Sequence, residues 1–126
     1  MPVLKEGCAV VDVKPGMSRR LLYGKDLMMV VIEFTNGPWA NPETPHHHIH
    51  EQTTYVAEGD IIFFCEDEPE QRLGPGDMFY VPSGKKHNIR LLSKTAKLID
   101  CFNPLRTDIL TQDLPHMNSG FSTRHQ

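Results

Sequence analysis

Ten prolines and nine glycines cut this chain of 126 residues into short apolar runs, and that punctuation is what most limits its fold. The runs are four to eight residues long and rich in β-branched and aromatic side chains, which marks strands rather than core helices. Six stretches read this way: Leu27 to Phe34, Thr53 to Gly59, Asp60 to Glu66, Asp77 to Pro82, Asn88 to Ser93 and Ala96 to Phe102. Turn signals separate them at Asn36 to Pro38, Glu58-Gly59, Glu66 to Gln71 and Gly74 to Gly76. Short strands at regular spacing predict an all-β sandwich or barrel. Only Thr107 to Leu110 offers a helical turn. The polar tail PHMNSGFSTRHQ is expected to fray or to be tied to a partner subunit. Val3 to Val13 alternates poorly, which leaves it available to a second subunit.

The length suits one domain, residues 1–126, with a core over about residues 27–104. A formal net charge of -3 with no basic stretch argues against nucleic acid or a membrane surface as partner. No apolar run approaches the roughly 18 residues of a membrane helix. MPVLKEGCAVV has neither the basic nor the apolar region of a signal peptide, so a cytoplasmic location is expected. Cys8, Cys65 and Cys101 are odd in number and scattered, and read as small buried residues in a reducing compartment.

The chemistry gathers in TPHHHIHEQTTYVAEG, Thr44 to Gly59, where four histidines fall within five residues. Alternate side chains of a strand share a face, so His46 and His48 can grip one ion while His47 points away. If the chain stays extended, His50 and Gln52 join the inner face and Glu51 points out. Taken alone the pair reads equally well as surface histidines or as a metal site. GDMFYVPSGKKH, Gly76 to His87, shifts the balance. Its two turns form a hairpin able to bring His87 back over the His46/His48 strand, completing a set of three imidazoles.

These two segments resemble the paired motifs of a small single-domain cupin. His46, His48, Gln52 and Gly59 fit the spacing of the first motif, and Gly76, Pro82, Gly84 and His87 fit the second. Three positions depart from the pattern: Ala40 and Leu91 replace a glycine and an asparagine, and Gln52 replaces the usual glutamate ligand. The resemblance implies a double-stranded β-helix, a jelly-roll barrel, and a homodimer. It also implies one divalent metal ion (zinc, nickel, manganese or iron) on His46, His48, Gln52 and His87, with Glu51 or His50 left to replace or join the glutamine. A neutral amide leaves the ion its full double charge, which favours an anionic substrate and Lewis-acid chemistry over oxygenase chemistry.

LIDCFNPLRTDIL, Leu98 to Leu110, is the third group. Its plain reading is a strand end with a salt bridge near a turn. Yet Asp100 and Phe102 share the parity of Leu98, and if Leu98 packs inward a carboxylate points into the barrel, where acids are rare without a partner or a task. With HHHIHEQ, the series Asp100, Phe102, Pro104, Arg106 and Asp108 resembles the pectin degradation proteins, the uronate-linearising cupins. That resemblance implies an enzyme that converts cyclic 4,5-unsaturated uronates to linear 4-deoxy-5-keto-uronates. In it Asp100 moves the proton, Arg106 holds the substrate carboxylate and Phe102 shapes the pocket. The rival readings are a metal-dependent dioxygenase and a non-catalytic sugar-binding or sensing module.

Of the remaining residues, Arg19 and Arg20 read mainly as a solvated strand edge, with a place at the barrel mouth as the lesser alternative. Tyr55 and Tyr80 read as packing residues with bonded hydroxyls, and Met28, Met29 and Met78 as core filler. Trp39 is expected to cap the pocket or cover a dimer seam. His116 and His125 are expected to ligate nothing.

Overall fold

Alternation carries most of the predicted strands into place. In the computed structural model, which describes residues 3–124, the chain runs β1 (Val11–Lys14), β2 (Met17–Tyr23), β3 (Met28–Phe34), β4 (Glu51–Glu58), β5 (Ile61–Cys65), β6 (Gln71–Leu73), β7 (Met78–Val81), β8 (His87–Leu91), β9 (Ala96–Asn103) and α1 (Thr107–Arg124). All strand pairings are antiparallel. β1-β2-β3-β9-β4-β7 form one sheet and β6-β5-β8 a second that packs on it. This is the two-sheet jelly-roll expected. Along β4 and β9 burial alternates residue by residue, so Gln52, Thr54 and Val56 face in with Leu98, Asp100 and Phe102.

The inner face of the large sheet is covered by two different things. Over one half lies the small sheet, enclosing Phe34, Val56, Ile61, Phe63, Val81, Ile89, Leu91 and Leu98. Over the other half lies α1, enclosing Val11, Leu21, Met28, Val30, Phe102, Ile109 and Met117. Ile109, Asp113 and Met117 are four residues apart on one helix face and are all buried. Between the two apolar clusters the sheet turns polar.

Several expectations are corrected. The end of the Val3 to Val13 segment forms β1, which pairs with the protein's own β2 as the edge strand of the large sheet. The helical turn at Thr107 extends to Arg124 and takes up most of the predicted tail; His125 lies outside the described residues. β2 and β6 were not among the predicted strands. Met28 is buried, but Met29 and Met78 stand on the outer face of the large sheet with Tyr55 and Tyr80. Their parity is opposite to that of the core, and among the described residues only the Tyr80 hydroxyl finds a partner, the Glu51 carboxylate at 2.6 Å. Trp39 packs edge-on against Phe34 at 5.1 Å. Gly59, the last residue of the first motif, has φ +89°, and a Cβ there would strike the Thr95 carbonyl, so only glycine fits this turn.

Candidate metal centre and its cavity

The segment between β3 and β4 lies against β8 like an added strand. The Trp39 and Glu43 amides donate to the Leu91 and Ile89 carbonyls, and His46 and His87 exchange both backbone bonds at 2.9 and 3.0 Å. That bridge sets the two imidazoles side by side, 4.2 Å between ring centroids, and places His48 4.8 Å from His87. The ligand nitrogens of His46, His48 and His87 all lie within 4.8 Å of one another. His46 and His48 thus converge on His87 while His47 stays out of the cluster, although regular pairing starts only at Glu51.

The hydrogen bonds fix which nitrogen of each ring is free. His48 Nδ1 and His87 Nδ1 each lie 2.9 Å from a backbone carbonyl, of His50 and Lys85. A carbonyl only accepts, so both Nδ1 atoms carry the proton and both Nε2 atoms present a lone pair. His87 Nε2 is buried with no hydrogen-bond partner. His48 Nε2 lies 3.0 Å from Gln52 Oε1, while the Gln52 amide nitrogen donates to Thr54 Oγ1 at 2.9 Å. Thr54 in turn donates to Asp100 Oδ1 at 2.6 Å. Reversing the amide would satisfy His48 Nε2 but set the Gln52 oxygen against Thr54 Oγ1, whose one hydroxyl proton is already given to Asp100.

Two acceptors therefore face each other at His48 and Gln52 beside a third unsatisfied nitrogen, and a cation is what this donor set lacks. Protons are a poor substitute. Burial lowers the pKa of His46, His48 and His87, for His87 to about 4, so the rings are neutral near pH 7, the form that binds metal. His50 is turned aside to the Leu105 carbonyl at 3.0 Å, and Glu51 faces out to Tyr80, so neither joins the cluster.

The histidines open on a cavity of about 240 Å³ lined by His46, Gln52, His87, Asp100, Phe102 and Arg106 among others. That is below the ~300–1,000 Å³ of sites for drug-sized ligands and suits a single ring. Of the candidate ligand and pocket residues, His46, Gln52, His87, Asp100, Phe102 and Arg106 line this cavity, and His48 stands beside it, 4.8 Å from His87 between ring centroids. Asp100 is buried, and burial raises its pKa to about 6 against the opposing Thr54 bond. The Arg106 guanidinium sits 5.0 Å over the Phe102 ring and grips Asp108 through Nε and Nη2 at 2.9 and 2.7 Å. This pair holds the Asp108 carboxyl down at about 2. The predicted salt bridge and the predicted pocket residue are both present in Arg106.

Sequence reasoning underweighted one feature and missed another. Arg19 takes the lesser alternative and is not a solvated edge: it is buried, lines the cavity, and is held by Asp113 and Gln112 of α1. Glu43 also lines the cavity. Its one signal was its place between Pro42 and Pro45, just before the histidines.

Residues 31–102 match the Cupin_2 family, described as a cupin domain. The chain belongs to the cupin family. Within that family it is 36% identical over 97 residues to the "Pectin degradation protein KdgF" of Dickeya dadantii, across 75% of this chain and 84% of that one. Among solved structures it is similar to KdgF from Halomonas sp., at 37% identity and TM-score 0.71, covering 80% of this chain and 92% of that one. It is likewise similar to an RmlC-like cupin from Shewanella frigidimarina, at 32% identity and TM-score 0.73, covering 85% and 93%. Among the described residues of this cupin, no helix is long and apolar enough to cross a membrane.

Proposed function

We propose that this cupin is an enzyme that opens the ring of 4,5-unsaturated uronates to give linear 4-deoxy-5-keto-uronates, as its likeness to KdgF implies. One observation supports this above the others. The hydrogen-bonded run Asp100–Thr54–Gln52 ends with the Gln52 oxygen 3.0 Å from His48 Nε2, and so sets a buried carboxylate beside the histidine cluster inside a cavity that also holds an arginine. His46, His48, His87 and Gln52 would hold a divalent ion there, zinc serving as well as nickel, manganese or iron since the reaction has no redox step. Bound, it supplies uncompensated positive charge that polarises a substrate hydroxyl or carboxylate. Arg106 receives the substrate carboxylate on the guanidinium end that Asp108 leaves open. Phe102 lies under that arginine and beside His48, 5.7 Å between ring centroids, and gives the sugar a flat wall. Asp100, desolvated and fixed by Thr54, takes the proton of the anomeric hydroxyl.

The test is the absorbance of the conjugated enol ether, which the linear ketone lacks. Metal-loaded protein should bleach 4,5-unsaturated galacturonate faster than the spontaneous rate and at the same rate without oxygen. Decay at the spontaneous rate overturns the reading, and dependence on oxygen favours a dioxygenase.

The outer face of the large sheet supports a homodimer. Two cross-strand rows cover it: Leu22, Met29, Cys101, Thr53 and Tyr80, and beside them Arg20, Val31, Ile99, Tyr55 and Met78. Solvent-facing strands are ordinarily polar. Here Arg20 is the one charge in the two rows, turned to the Cys8 and Lys5 carbonyls, and the next row is charged, with Lys97 paired to Glu33 and Glu58. A flat apolar patch bounded by a charged row is self-complementary under a two-fold axis. Three free cysteines fit a reducing location such as the cytoplasm.

A further inference from the structure

Asp100 shares its cavity with a second carboxylate, that of Glu43. The two come from opposite layers. Asp100 is on β9, in the large sheet. Glu43 is on the segment that runs along β8, in the small one. Glu43 is fixed although it lies in a loop: its amide donates to the Ile89 carbonyl at 3.1 Å, and its own carbonyl accepts from the buried Asn88 Nδ2 at 2.7 Å. Its carboxyl accepts from the Ile89 backbone and is pushed up to about 6, chiefly by burial, with Lys14 opposing and Asp100 adding to the shift. Among the described residues no lysine or arginine reaches it at ion-pair distance. A desolvated carboxyl without a cation calls for a task.

Resting on the uronate reading, the chemistry supplies one. Ring opening moves protons at two places: one leaves the anomeric hydroxyl on C1, and one arrives at C4. These atoms are at opposite ends of a six-membered ring, so one carboxyl cannot serve both at once. We propose that Glu43 is the second proton-transfer residue, delivering a proton to C4 while Asp100 takes the proton from the hydroxyl. The O–H pair becomes the C1 carbonyl and the C1–ring oxygen bond breaks onto that oxygen. The oxygen becomes the C5 ketone, and the C4–C5 π pair takes the proton of Glu43. Nothing is oxidised or reduced, and the two carboxyls exchange protons with solvent between turnovers.

The experiment compares wild type, Glu43→Gln and Glu43→Asp on 4,5-unsaturated galacturonate in deuterium oxide, by absorbance and by proton NMR at C4, after metal analysis of each protein. Wild type should place deuterium on one face of C4. Glu43→Gln should retain its metal, lose about 100-fold in kcat with KM changed less than threefold, and deuterate both faces. Glu43→Asp should recover part of kcat and the single-face labelling. Single-face labelling with near-normal kcat in Glu43→Gln overturns the proposal. So does random labelling by wild type, and so does Glu43→Asp performing no better than a Glu43→Gln that fails to fold. Wild-type decay at the spontaneous rate would instead remove the uronate reading itself.

Discussion

Arg19 grips both carboxylate oxygens of Asp113 at 2.7 Å, 94 residues away along the chain, and both side chains are buried. This pair fastens α1 to β2 over the open half of the large sheet. It therefore keeps Ile109 and Gln112 in the cavity wall. Removing one partner strands a buried charge, so Arg19→Ala or Asp113→Ala should each cost about 3–5 kcal/mol in urea unfolding. Arg19→Met combined with Asp113→Leu should recover most of that loss. A single variant as stable as wild type would contradict the picture.

Metal should stabilise the protein through the histidines. Chelation should lower Tm, and zinc at a hundredfold excess over its Kd should restore about 3 kcal/mol. In His48→Ala and His87→Ala the addition of zinc should leave Tm unmoved. Calorimetry with and without chelator reads this directly.

Asp100 gives a pH signature. Its folded-state pKa, about 6, is above the ordinary 3.8, so ionising it is harder in the folded protein. Its burial is fully tolerated below about pH 4, and stability falls as pH rises through 6. Asp100→Asn should abolish ring opening, yet make the metal-free protein about 3 kcal/mol more stable at pH 8 and leave it unchanged at pH 4. Denaturation curves at the two pH values are the check.

Arg106→Lys keeps the charge but loses the fork and the stacking on Phe102. KM should rise at least tenfold, by about 1.4 kcal/mol or more of lost binding, with a smaller change in kcat. Steady-state kinetics would show the reverse if Arg106 acted mainly on the transition state.

Met29→Lys with Met78→Lys places charge in both outer rows without touching the cavity. Sedimentation should show a dimer for wild type and a monomer for the variant. Two equal masses would move the interface elsewhere.

The directions of His46, His48, His87, Gln52, Asp100 and Phe102 were legible because their spacing is local, set by strand parity and two tight turns, whereas Arg106, past Pro104, was singled out for the pocket by family resemblance alone. Arg19 was not, since its burial is decided by an acid on a helix at the other end of the chain. β2 was hidden for the same reason, because MSRRLLY carries two arginines in a row. Tyr55, Tyr80, Met29 and Met78 were misjudged as packing because apolar character says nothing about which face of a sheet a residue takes. The parity of Leu98 against Ile99 would have placed them outside.

The divided cover of the large sheet separates two jobs that could have been entangled. His46, His48 and His87 ride on the seam between the sheets, while Arg106, Asp108, Ile109 and Gln112 belong to the chain after Pro104. Exchanging that C-terminal portion between relatives would change one wall of the cavity and touch the three histidines only through the bond from His50 to the Leu105 carbonyl. The molecule is in this sense a socket with an interchangeable jaw.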